Sequence, residues 1–137
     1  MDYKKMIIEM VEEYGDQKVK IINLTSSMNA AIVNSGSTGQ YCYAYKSGSV
    51  VTICMFFQAK NLSGMDTIFF DGVIPEEYRS KSHLTFNITA RDSGGWGTAN
   101  FIPAAIRFNT SGKVEIATGT EKAKAVYIDG TFSYVTK

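Results

Sequence analysis

From Gln40 onward, apolar and polar residues alternate with a period of two, in runs separated by Gly-bearing turns. Leu84, Phe86, Ile88 and Ala90 alternate with Thr85, Asn87, Thr89 and Arg91. Successive side chains of a strand point to opposite faces, so such a run buries one face only as a strand. Ile102, Ala104, Ile106 and Phe108 alternate in the same way with Pro103, Ala105 and Arg107. Val114 and Ile116 alternate with Lys113, Glu115 and Ala117, and Val126, Ile128, Phe132 and Tyr134 share one parity, with Gly130 between them. In Val51, Ile53, Met55, Phe57 and Ala59 one face is wholly apolar. Val50, Cys54 and Phe56 make the other face nearly so, which predicts a central strand covered on both sides.

Turns fall between these runs. Lys46-Ser47-Gly48-Ser49 joins one pair, and Thr110-Ser111-Gly112 joins Phe108 to Val114 as a three-residue loop whose third position favours a positive φ. Strands are expected over 40–46, 49–60, 67–72, 83–91, 98–109, 113–118, 124–129 and 131–136. Eight short antiparallel strands predict a β-sandwich or jelly-roll-like fold. Composition agrees: eight Tyr and eight Phe suit half-buried pleated surfaces, and 12 Gly against two Pro serve the turns. At 137 residues the chain reads as one β domain with a short helical extension.

Ahead of this module, residues 1–17 predict a short helix. Tyr3, Ile7, Met10 and Tyr14 are spaced four, three and four apart and form one stripe, with Asp2 as the N-cap and Gly15 as the stop. The same spacing is the seam of a coiled coil, but two heptads are too short to stand alone in water. The helix packs either on its own domain or on the same helix of sister subunits. Residues 18–39 read as a short strand, Lys18 to Leu24, and a linker rich in Ser, Asn, Gly and Thr; the β module is expected at 40–137.

Lys and Arg total 14 against 13 Asp and Glu, so no long-range field draws the chain to nucleic acid or an anionic membrane. The longest apolar stretch, Val50 to Phe57, falls short of the ~20 residues that span a bilayer, so no membrane insertion is expected. Glu9, Glu12 and Glu13 break the N-terminal apolar run that a signal peptide would need. Cys42 and Cys54 would lie nearly opposite each other in a hairpin, one residue out of register: either a disulfide or, more in keeping with the sequence, two half-buried thiols. With His83 they are too few for a zinc site, and no metal or cofactor is expected. His83 is the only histidine, and its parity sets it on the polar side of its strand. Glu76 and Glu77 form the only adjacent carboxylate pair in the β region, inside a turn; a hydrolase built on them ranks last among the readings. No Gly-rich loop leads into a helix. No catalytic residues are assigned, and the expected protein is not an enzyme.

Two features point to binding. Trp96, the only Trp, lies in Ser93-Gly94-Gly95-Trp96-Gly97 with no strand pattern to bury it; it either closes one end of the sandwich or stacks on a sugar or a protein partner. Tyr41, Tyr43 and Tyr45 place three Tyr on one strand face, a stripe suited to a core or a subunit interface.

Ile74 to Ser80, IPEEYRS, resembles the "LP-x-G-Y/F-R-P" turn of C-terminal domains in tailed-phage fibres and baseplate proteins. The hairpin Ala105 to Ile116 and the closing strand Gly130 to Val135 follow in the order seen there, so the resemblance spans residues 48–137. Glu76-Glu77 replaces the usual Gly-containing middle, and Ser80 stands where Pro is common. The resemblance implies a homotrimeric head on a virion fibre, assembled in the host cytoplasm with other virion proteins, and attaching to a host-surface glycan or protein. Tyr3, Ile7, Met10 and Tyr14 would then form a three-stranded stub, and Tyr41, Tyr43 and Tyr45 a second interface. Trp96, with Tyr78 and Arg79 of the turn, makes up the candidate ligand contacts. The competing expectation is a monomeric carbohydrate-binding module of a larger secreted protein.

Overall fold

The computed structural model describes residues 2–6, 19–33, 39–60, 65–69, 72–92, 95–118 and 126–136. Among these the chain is mainly β. Its strands are β1 (Lys20–Asn23), β2 (Tyr41–Ser47), β3 (Val50–Ala59), β4 (Met65–Phe69), β5 (Leu84–Arg91), β6 (Phe101–Phe108), β7 (Val114–Ala117) and β8 (Val126–Val135). They form one antiparallel sheet in the order β1-β2-β3-β8-β5-β6-β7-β4. The sheet curls so that its two halves face each other, as in a sandwich. Among the described residues the halves, β1-β2-β3-β8 and β5-β6-β7-β4, are joined in the ladder between β5 and β8 through a single residue pair, Arg91 with Tyr127. Strands β5, β6 and β7 form a meander; β8 returns beside β5 and β4 lies beside β7, which makes two overlapping Greek keys.

Alternation decides what goes between the halves. Val51, Ile53, Met55, Phe57 and Ala59 of β3 are fully buried, as are Ile106 and Phe108 of β6 and Ile116 of β7. Phe132 of β8 packs at 5.1 Å from Phe86 of β5 and 5.5 Å from Phe108, and Phe108 also meets Tyr134 at 5.5 Å. These ring contacts clamp one half on the other. The second face of β3, with Cys54 and Phe56, is only half-buried. One face is thus sealed by the opposite half, while the other, expected to be covered as well, is partly exposed.

Eight strands are expected from residue 40 onward and seven are described there; the eighth strand of the sheet is β1, which answers the short strand expected at Lys18 to Leu24. The expected break at Gly130 is absent, and β8 runs unbroken from Val126 to Val135 along the whole of β3. The Phe132 ring lies where a Cβ on residue 130 would stand, 2.6 Å from it, so the glycine makes room for the ring rather than a turn. Residues 20–33, in the segment expected to be strand and linker, are integral to the fold. Leu24, Met28 and Val33 are buried. Asn29 N–H donates to Ile68 O at 2.8 Å and its side-chain amide to Thr67 O at 3.1 Å, which covers the outer edge of β4. The buried side chains after β1, Leu24, Met28 and Val33, are irregularly spaced, so neither period reveals that part of the segment.

At the N-terminus residues 3–6 are helical, and Asp2 caps them by accepting from Lys4 N–H and Lys5 N–H at 3.1 and 3.2 Å. Tyr3 is exposed. Ile7, Met10, Tyr14 and the remainder of the expected helix lie outside the described residues, as do residues 34–38 of the expected linker.

The turn at 74–80 is a fastener between the halves. Ile74 and Tyr78 enter the core, and Glu76–Tyr78 forms one turn of 3-10 helix. The Tyr134 hydroxyl donates to Tyr78 O at 2.6 Å in a buried setting, and burial raises the Tyr134 pKa. Tyr134→Phe would leave that carbonyl without a partner. It should cost about 1–3 kcal/mol in urea unfolding with an unchanged m-value.

Candidate functional site

Register carries the outer face of the first half. Tyr43 pairs with Cys54 and Cys54 with Thr131; Tyr41 pairs with Phe56 and Phe56 with Asp129; Gln58 pairs with Tyr127 and Tyr127 with Arg91. All these side chains share the outward parity. Tyr41, Tyr43 and Tyr45 therefore stand on the outer face, and Phe56 and Tyr127 extend their row across β3 and β8. Neighbouring ring centroids are 6.5 Å apart for Tyr45–Tyr43, 5.9 Å for Tyr43–Tyr41, 6.2 Å for Tyr41–Phe56 and 6.3 Å for Phe56–Tyr127.

The row continues through a cation. The Arg91 guanidinium lies 5.8 Å from the Tyr127 ring and 5.1 Å from the Trp96 ring, and Trp96 leans on Phe101 at 5.8 Å. The Arg91 side chain is only 8% exposed and pairs with Asp129 at 3.0 Å. The pair neutralises the one cation that the row needs, while the ring faces on either side add cation–π attraction. Trp96 is 69% exposed and Phe101 50% exposed, at the far end. The two binding features of the sequence, the Tyr stripe and the Trp loop, thus become one continuous surface. Phe56, Tyr127, Arg91 and Phe101 were not singled out in the sequence. Only the cross-strand register, which no single run of residues carries, brings them into line.

The other two ligand candidates fall elsewhere. Tyr78 is 2% exposed, and its ring is core, with Lys46 Nζ 5.8 Å from the ring centroid. This placement removes Tyr78 from the ligand-contacting residues: its apolar ring anchors the turn. Arg79 folds back on the same turn, Nε donating to Ile74 O at 2.7 Å and Nη2 to Gly72 O at 3.3 Å. Its guanidinium holds backbone carbonyls in place.

Cys42 faces the core and Cys54 the outer surface, because they are one residue out of register on paired strands. Both are free thiols, and the disulfide expected as one option is corrected on that geometry. Burial, then the neighbouring Cys54, pushes the Cys42 thiol up to about 12. His83 is exposed, and its Nδ1 is 3.0 Å from Asn109 Oδ1. Glu76 and Glu77 are exposed on the 3-10 turn, and Glu77 meets Lys20 at 3.8 Å. No cluster of three or more His, Cys, Asp or Glu able to hold a metal occurs among the described residues.

The outer face of the second half carries the buried carboxylate of Glu115, with a side chain 7% exposed. Its Oε1 accepts from Asn109 Nδ2 at 2.6 Å and from Arg107 Nε and Nη2 at 3.2 and 2.9 Å. Desolvation favours the neutral acid, but these hydrogen bonds and the charges of Arg107 and Lys113 outweigh it, and the Glu115 pKa is lowered. A carboxylate whose folded pKa lies below its unfolded one stabilises the fold above the ordinary glutamate range. That contribution is lost as the pH falls through the lowered value. Stability should therefore decline on acidification below about pH 4, and Glu115→Gln should flatten that decline in urea midpoints measured against pH.

No family model matches this sequence, and no curated protein is significantly similar to it.

Proposed function

We propose that the chain is the head domain of a virion attachment protein, of the tail-fibre or baseplate kind, assembling as a homotrimer and contacting a host-surface glycan or protein. The observation that supports it most is the ring row from Tyr45 to Phe101 on an outer sheet face. Tyr41, Tyr43, Tyr45 and Phe56 meet sister copies in this reading. The face suits self-association because, among the described outward residues of its strands, the charges are Arg91 and Asp129, which pair with each other, so identical copies bring little unbalanced charge together. Trp96 and Phe101, the more exposed end, are left for the host ligand. The role includes no catalysis and no cofactor. The domain is made in the host cytoplasm and carried on the virion beside other virion proteins.

A second reading, a monomeric carbohydrate-binding module, is favoured by the exposure of Trp96 and Phe101 and by the hydroxyls of Thr52, Thr131 and Ser133 beside the rings. Light scattering of the purified chain at micromolar concentration separates the two. Three copies are expected, with Trp96 emission shifting when a host-type glycan is added. A monomer whose Trp96 emission responds to soluble polysaccharide would replace the first reading with the second.

A further inference from the structure

Outward residues of β5 and β6 form a second polar–apolar track that begins at Phe101. Register sets Arg91 opposite Phe101, Thr89 opposite Pro103, Asn87 opposite Ala105 and Thr85 opposite Arg107. Thr85, Asn87 and Thr89 are all exposed. The track ends in a pocket of about 120 Å³ lined by Met65, Thr85, Ala105, Arg107, Glu115 and Ala117. The pocket exists because two alanines face each other across β6 and β7, Ala105 with Ala117, between larger neighbours. It opens to solvent, so one face of a sugar ring can rest in it without full enclosure.

We infer that this track is a binding site for a neutral oligosaccharide, running from the Trp96–Phe101 rings to the Ala105–Ala117 pocket. The inference rests on the glycan reading of Trp96 and gives that ligand a path and a charge. Phe101 and Ala105 are four residues apart on one strand, about 13 Å, more than one sugar ring covers. The pocket's charged groups, Arg107 and Glu115, are paired with each other, so the pocket offers no net charge to hold an ionic sugar. Paired, they are a fixed acceptor and donor for hydroxyls. All three hydrogen bonds to Glu115 fall on Oε1, so among the described residues none engages Oε2. The alanine floor receives the C–H face of a ring, and the Thr-Asn-Thr row lies within reach of hydroxyls along the path.

Isothermal titration of the full chain with neutral hexose and N-acetylhexosamine oligomers of one to six rings tests this. Affinity should tighten at least tenfold between one ring and four, with little dependence on salt. Ala117→Leu, which fills the pocket, should return the four-ring ligand to the one-ring affinity while Trp96 emission still responds; Ala105→Leu serves the same end if the first variant does not fold. Undiminished four-ring affinity in both filled variants overturns the track and leaves the Trp96 reading standing. Binding that survives Trp96→Ala but is lost in Ala117→Leu overturns the Trp96 reading and keeps the pocket. Tighter binding of anionic oligosaccharides, or silence across the whole panel, overturns the inference.

Discussion

Gly112→Ala should lower the unfolding free energy by about 3 kcal/mol and the melting temperature by roughly 10 °C. Gly112 ends the β6–β7 loop, its N–H donating to Asn109 O at 3.0 Å, with φ at +88°. An L side chain in that conformation costs about 1–2 kcal/mol by itself. A Cβ there would also stand 2.8 Å from both Ile74 O and Arg79 Nε, the two ends of one short hydrogen bond. Something must yield: either the hairpin lifts off the 74–80 turn or Arg79 gives up a carbonyl that it holds. Gly48 is the control, at φ +59° with nothing within 4 Å of a Cβ. Gly48→Ala should cost only the conformational part. Differential scanning calorimetry of the two variants decides the matter, and equal losses would show that Arg79 does not fasten the hairpin.

Tyr43→Glu is the second large effect. Tyr43 lies mid-face, in the row that runs through Cys54 to Thr131. In a trimer built on that face the substitution places three carboxylates in a seam otherwise free of unpaired charge. Each costs several kcal/mol to desolvate, and cyclic symmetry repeats the cost in every subunit. Sedimentation should show the wild-type assembly replaced by monomer at micromolar concentration, with the β circular dichroism kept, because Tyr43 is outside the core. Thr89→Glu, on the outer face of the other half, should leave the assembly intact. A Tyr43→Glu protein that still assembles would remove this face from the interface.

Much of this fold was legible in the residues. The alternations at 84–91 and 102–108 became β5 and β6 with their parity intact, and Thr110-Ser111-Gly112 forms the loop that its composition predicts, Asn109 N–H donating to Lys113 O at 2.9 Å. The reading failed where local pattern and tertiary demand part. Gly130 resembles a turn until a phenyl ring is seen to need its space. Tyr78 lies in a turn and resembles a surface aromatic, yet one turn of 3-10 helix rotates it into the core. The row of rings was legible only in pieces. Tyr41, Tyr43, Tyr45 and Trp96 stand out along the chain, but of the rings that connect them Phe56 lies across the β2–β3 hairpin and Tyr127 on a strand distant in sequence. They meet through hydrogen-bond register, a property of pairs of strands.

The single ladder pair between β5 and β8 has a mechanical consequence. Sheets resist bending along their strands but fold easily where neighbouring strands share few bonds, so Arg91–Tyr127 is a crease. The row of rings crosses that crease, with Tyr127 on one panel and Phe101 on the other. The angle at which its two arms meet is thus set less by ladder bonds than by the packed rings of Phe132, Phe86 and Phe108 and by the Arg91–Asp129 pair that spans the crease.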